Sequence, residues 1–190
     1  EIASCLVGSE MCIRDSSIIA ATTISMANHI TTQKLCNWFI QRANENGTPL
    51  NPVKLNHLVI LADWWHLHRN GIRLINETAE AWPQGPVLPS IYHEYKDQAP
   101  WGAIEHPSRR QPPLEPETDA IPSLEQIWKQ YYKYTGQQLA RSSMSPHSPW
   151  QLAQGRHGTP ERQQITEEYV KEYFLSLIHI SEPTRQEAIS

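Results

Sequence analysis

The chain has 190 residues, of which 39% are hydrophobic and 19% charged, and a net charge of −4 at neutral pH, a size that suits one domain able to bury its own core. So small a charge supplies no general electrostatic drive toward nucleic acid or an anionic membrane, and no apolar run approaches the roughly 20 residues that span a bilayer. Three cysteines, Cys5, Cys12 and Cys36, make no disulfide framework, which points to a reducing cytoplasm.

Both ends are unusual. Residues 6–16 (LVGSEMCIRDS) and 175–184 (LSLIHISEPT) can be encoded by opposite strands of one DNA segment that resembles a sequencing-library adapter. Residues 1–25 and 175–190 are therefore expected to be adapter-derived or leader sequence, and the domain is expected over 26–174. Setting aside Glu1, Glu10, Asp15, Glu182 and Glu187 together with Arg14 and Arg185 leaves a net charge of −1 and Cys36 as the domain's single cysteine.

Thr31 or Thr32 can cap a first helix with Leu35, Phe39, Ile40 and Ala43 on one face and Gly47 as its stop. Asn51-Pro52 supplies an N-cap and a first-turn proline for a second helix. Leu55, Leu58, Val59, Ala62 and Trp65 recur along it until Asn70-Gly71, with Leu61, Trp64 and Leu67 on its flank. A helix apolar around so much of its circumference is expected at the centre of the fold. Residues 72–82 read as short extended pieces or a connection into a hairpin. Pro83, Pro86 and Pro89 then interrupt any regular ladder, and Gln84-Gly85-Pro86 permits a sharp turn with Gly85 at positive φ. Ser90 can cap a short helix that places Ile91 and Tyr95 on one side.

Residues 98–122, rich in Pro, Glu, Arg and Ser, read as a long surface loop, mobile or binding, that carries Trp101, Arg109 and Arg110. A helix is expected from Ser123 with Leu124, Ile127, Trp128 and Tyr131 inward and Gly136 at its end. Another starts at Ser148-Pro149 with Trp150, and a last one, ITEEYVKEYF, is capped by Thr166. The predicted fold class is mainly α, a single compact helical domain with a short β-hairpin or extended segment after the central helix.

The chemistry-bearing patterns are sparse. His66 and His68 stand two apart on a helix and point to different faces, and neither they nor His57 has a cysteine or carboxylate at ligand spacing. HEYK at 93–96 lacks the second histidine of a zinc-protease helix. There is no Gly-x-Ser-x-Gly, Cys36 sits in a helix, and the eight glycines are scattered, so neither a nucleophile nor a phosphate loop stands out. The sequence thus suggests no catalytic residue, no metal and no cofactor. Trp38, Trp65 and Trp128 lie in amphipathic helices and are read as core. Trp82 before the turn, with Val87, Ile91 and Tyr92 after it, makes residues 79–96 a proline-braced clasp on the central helix.

Taken together, Pro52 with Lys54-Leu55, Trp65-His66-Leu67, and Ala81-Trp82 followed by Gly85-Pro86-Val87, Pro89 and Tyr92, then Ser148-Pro149-Trp150, resemble the Panacea domain of SocA-like antitoxins and related phage-associated proteins. The resemblance covers residues 30–174. Two positions depart from it: Pro83-Gln84 stands where family members often have a pair such as Lys-Tyr, and Arg141-Ser142 stands near a usual Thr-His pair.

What the resemblance implies is an antitoxin that neutralises a toxin encoded beside it, by direct protein binding or by delivering it to a protease. Lys54, Trp65, His66, Trp82, Gly85, Pro86, Val87, Pro89, Tyr92 and Trp150 would be its structural motif. The partner-binding candidates, Trp101, Arg109 and Arg110, come instead from the 98–122 loop, which can present aromatic and arginine anchors or be filler while a partner docks on the helices. The competing readings are a DNA-binding autoregulator, disfavoured by the near-neutral charge, a phage-associated protein of another activity, and an enzyme.

Overall fold

A computed structural model describes residues 30–99, 101–104, 106–107, 114, 118–155 and 163–181. Residues 1–29 and 182–190, and with them most of the expected adapter-derived ends, lie outside these, as do Arg109 and Arg110. The described residues form seven helices and three short strands. In chain order these are α1 (Thr32–Glu45), α2 (Pro52–Asn70), β1 (Glu80–Trp82), β2 (Gly85–Val87), α3 (Pro89–Tyr95), α4 (Ile121–Tyr131), α5 (Gly136–Ser143), α6 (Pro149–Gly155), β3 (Gln163–Gln164) and α7 (Glu167–Ser181). The mainly helical class with a hairpin after the second helix is as the sequence predicts.

Helix α2 is the axis on which the other elements pack, with α1, α3, α4, α5, α7 and β2 all against it. Its ends follow the local chemistry. The Asn51 side chain accepts from the Lys54 amide at 2.8 Å, Pro52 fills the first turn where no N–H is needed, and Gly71 closes the helix in the left-handed region at φ 75°. Leu55, Leu58, Val59, Ile60, Ala62 and Leu67 are all buried, and so are the polar Lys54, Asn56, His57, Asp63 and His66. A helix surrounded on every side loses its solvent face, so each polar side chain on it must find a partner inside. Trp64 is buried while Trp65 is half-buried, the reverse of the expected stripe, because neighbours cover the flank as well as the predicted face.

Four expected details change. Gly136 does not stop α4; it opens α5, a helix the apolar spacing does not reveal. Thr135 caps α5 through a reciprocal box in which its hydroxyl accepts from the Gln138 amide and the Gln138 side chain accepts from the Thr135 amide. Helix α4 begins at Ile121, two residues before Ser123, with Pro122 in its first turn. Residues 98–122 are not all surface, since Ile104 is buried and its amide donates to the Leu50 carbonyl at 2.7 Å. Ser90 caps nothing with its own side chain; Leu88 holds the N-cap position of α3, and the Ser90 amide and hydroxyl both donate to the Glu77 carboxylate.

The three strands form a sheet of order β2-β1-β3, antiparallel throughout. Pro86 therefore sits in a ladder after all, paired with Ala81. It is tolerated there because β2 is an edge strand, where a missing N–H deprives no neighbour of a bond. The turn falls on Pro83-Gln84, one residue earlier than expected, and Gly85 follows it at φ 123°. Strand β3, two glutamines paired to β1, is too short to carry a period and is invisible in the sequence.

A close approach at Gly136 and a positive φ at Gly85 each generate a prediction. A Cβ on Gly136 would lie 3.0 Å from both the Asn51 side-chain oxygen and the Lys54 amide nitrogen, so Gly136→Val is expected to push α5 off the start of α2 and cost about 1–3 kcal/mol. Gly85→Val is expected to cost a similar amount, about 1–3 kcal/mol, since a β-branched residue is strained at that φ. Denaturant midpoints check both; an unchanged midpoint contradicts the close approach at Gly136 or the strained φ at Gly85.

Candidate functional site

The clasp is held on α2 by one side chain. Asn56, buried in the helix, donates through Nδ2 to the Pro86 carbonyl at 2.9 Å and accepts through Oδ1 from the Leu88 amide at 2.9 Å. A carboxamide matches an exposed strand edge because it offers one donor and one acceptor side by side, as a neighbouring strand would. Next along the helix, the His57 ring lies under Gly85, and Ser143 of α5 has its hydroxyl 3.4 Å from His57 Nδ1. At the far end of β1, the Trp150 indole N–H of α6 donates to the Trp82 carbonyl at 2.7 Å.

A second polar hub fixes the segment that leads into the clasp. Asp63 of α2 is 1% exposed. Its carboxylate accepts from Arg73 Nε and Nη2 at 2.9 and 2.6 Å and from the Leu74 and Ile75 amides at 2.9 and 3.3 Å. Burial pushes the Asp63 carboxyl up, and Arg73 and the two amides pull it back. Arg73 also donates to the Glu77 carbonyl, and the Glu77 carboxylate takes bonds from Thr32 of α1 and Ser90 of α3. A negative group placed at the first turn of α3 is electrostatically favoured, so Glu77 ties α1, the approach segment and α3 together.

The predicted motif residues divide by place. Trp82, Gly85, Pro86, Val87, Pro89 and Trp150 meet at the clasp. Tyr92 does not reach α2: it is 45% exposed and packs on Trp82, ring centroids 4.8 Å apart, with His93 edge-on beside it. It therefore belongs to an outer aromatic patch, because the buried face of α3 is already filled by Ile91 and Tyr95.

Lys54 lies in the first turn of α2 and His66 just before its last, about 18 Å apart along the axis, and they serve separate seams. Lys54 Nζ donates to the Tyr132 carbonyl at the end of α4 at 2.7 Å, and burial lowers its pKa. His66 Nδ1 is 2.9 Å from the Ser123 hydroxyl in the first turn of α4, with Asn70 alongside; burial holds it down, opposed by Asp63 and Asp119. Trp65 faces Phe174 of α7. Trp101 is 56% exposed, near the buried Ile104, and is not part of the clasp.

Sequence reasoning missed Asn56, Asp63 and Glu77, which carry the polar connections. A usable signal was present for the first two, since Asn and Asp inside an otherwise apolar helix need internal partners. Nothing local marks Glu77. Among the described residues, no three His, Cys, Asp or Glu side chains gather closely enough to hold a metal ion.

Two outcomes are expected from this arrangement. Asn56→Ala strands the Pro86 carbonyl and the Leu88 amide and should cost about 2 kcal/mol or more; Asn56→Asp should be at least as harmful at neutral pH, because a carboxylate cannot donate to Pro86. Burial lowers the His57 pKa from 6.5 to about 4, so the unfolded chain takes up a proton at a higher pH than the folded one. His57 is neutral in both states well above pH 6.5, and stability should fall as the pH drops from 6.5 to 4, by up to about 3 kcal/mol. Unfolding titrations of wild type and His57→Gln at pH 7 and pH 4 check this: the variant should lose less stability between the two, and equal losses contradict the assignment.

The comparison with known families matches the geometry. Residues 55–151 match the family model described as antitoxin SocA-like, Panacea domain, a span that takes in α2 from its second turn, the hairpin, α3, α4, α5 and the start of α6 with Trp150. No curated protein and no solved structure matches the chain. The matched span holds both halves of the Asn56 and Trp150 connections, and the chain belongs to the Panacea-domain family of SocA-like antitoxins.

Proposed function

We propose that this protein is a cytoplasmic antitoxin that neutralises a toxin encoded beside it by forming a stable complex, without chemistry of its own. The family match over 55–151 is the observation that carries the reading. The matched span is mostly scaffold, with its polar groups engaged inside, and such a scaffold leaves exposed aromatic side chains as the features a partner can grip. Interfaces of ordinary size depend on a few aromatic or arginine anchors ringed by complementary contacts.

Trp101, 56% exposed on a segment pinned by Ile104, is an anchor of that kind, and Arg109 and Arg110 follow it in sequence. A net charge of −4 favours a protein over nucleic acid as the target. No helix among the described residues is long and apolar enough to cross a membrane.

Co-expression with the product of an adjacent reading frame tests the proposal. Growth arrest caused by that product should be relieved, the two chains should co-purify, and the toxin's level should hold steady. A falling toxin level in place of a complex would instead indicate delivery to a protease, and no relief contradicts the antitoxin reading for that pair. Because deleting the whole of 98–122 would remove the buried Ile104, Trp101→Ala is the cleaner probe of this segment. It should weaken the complex at least tenfold with the unfolding midpoint unchanged, and unchanged affinity removes Trp101 from the interface.

A further inference from the structure

Between α2, α4, α5, α6 and α7 lies a cleft of about 220 Å³. Its walls are aromatic: Trp64, Trp65, Tyr131, Tyr173 and Phe174. Buried Ser143 and Ser148 lie at its base, and exposed Gln130 and Ser142 stand at its mouth. No charged side chain lines it among the described residues. At its base Ser143 also faces the His57 ring that lies under Gly85, so the cleft backs onto the clasp.

Its contents follow from size, charge and the groups offered. Pockets that engulf a drug-sized ligand run to roughly 300–1,000 Å³, so this one takes a single ring. An uncharged lining penalises any ion left there without a counter-charge. Aromatic walls favour a guest that can stack or meet them edge-on at ring separations of about 4.5–7 Å, while the Ser142 hydroxyl and the Gln130 amide have no hydrogen-bond partner among the described residues. A purely aliphatic guest would leave those groups unused. A tryptophan or tyrosine offers both a ring and one polar atom at its edge.

The surroundings suit a protein surface better than a free metabolite. The Phe174 ring stacks on exposed His68 with centroids 4.3 Å apart, and the Arg69 guanidinium lies 5.9 Å from the Trp65 ring centroid. An apolar pocket with a rim of aromatic and arginine side chains is how partner anchors are received.

We propose that this cleft receives one aromatic side chain, tryptophan or tyrosine, from the partner protein; the identity of that partner as a toxin rests on the antitoxin reading above. The test has two arms. In the first, the full chain is titrated with N-acetyl-tryptophanamide and, separately, N-acetyl-leucinamide, and followed by the backbone and indole N–H resonances. Saturable shifts are expected at Trp64, Trp65 and Ser142 with the tryptophan compound and not with the leucine compound. They should vanish in Ser142→Trp and in Gln130→Trp, two exposed positions where a new ring plugs the mouth and the unfolding midpoint should hold. Absence of saturable shifts, or shifts that survive both plugs, overturns the cleft assignment whatever the partner is. In the second arm the product of the adjacent gene is bound to wild type and to both plugged variants. A loss of tenfold or more in both supports the anchor, and undiminished binding in both overturns it. Failure of the wild type itself to bind counts against the antitoxin reading for that pair, while the first arm still decides the cleft.

Discussion

The two hydrogen bonds made by Asn56 are the constraint around which the rest is arranged. A hairpin laid against a buried helix brings backbone donors and acceptors out of water, and each one left unpaired costs about 1–3 kcal/mol. Asn56 answers for the Pro86 carbonyl and the Leu88 amide at once. That allows β2 to run along α2 with nothing between them, and it sets the height at which α3 starts. Gly85 then passes over His57 at a φ of 123°, a conformation open to glycine, and that is what lets the chain make this turn. The Trp150 bond to Trp82 fixes the other end of the same unit.

Asp63 and Glu77 extend this logic outward. A buried carboxylate is tolerable only when paired and hydrogen-bonded, and Asp63 accepts from Arg73 and from two backbone amides. The segment between α2 and β1 has little regular structure, so it has no ladder of its own to satisfy those amides; the helix supplies the acceptor instead. Glu77 does for the start of α3 what a cap residue does locally, from 13 positions away. The scaffold is thus built from polar connections between a central helix and irregular chain, with apolar packing around them. What remains for a partner is the outer surface: the Trp82 and Tyr92 patch, Trp101, and the aromatic cleft by α7.

Much of this was legible in the sequence, for physical reasons that also explain the failures. Helices α1 and α2 carry their own period, caps and stops, and the Thr31, Asn51, Gly47 and Gly71 signals all land where expected. Gly85 was readable as a positive-φ position because proline-braced turns need one. The motif residues Trp82, Pro86 and Trp150 could be named, but not that Trp150 bonds the Trp82 carbonyl, since that contact spans 68 positions. Helix α5 was missed because only Leu139 and Ala140 mark it as apolar, although its Thr-x-x-Gln capping box was there to be read. Tyr92 was placed inward on spacing alone; burial of Ile91 and Tyr95 on the same short helix leaves it the outer face. The cleft has no sequence signature, as its walls come from elements more than 100 residues apart.

Helix α2 and the clasp are expected to behave as one cooperative unit joined through Asn56. Native-state hydrogen exchange of the Leu88 amide tests it most directly, because that N–H is bonded to the Asn56 side chain alone and not to a strand or helix ladder. Leu88 is expected to exchange only with global unfolding, at the same free energy as the amides in the middle of α2. Exchange of Leu88 at the rate of an exposed turn, while α2 stays protected, would contradict it.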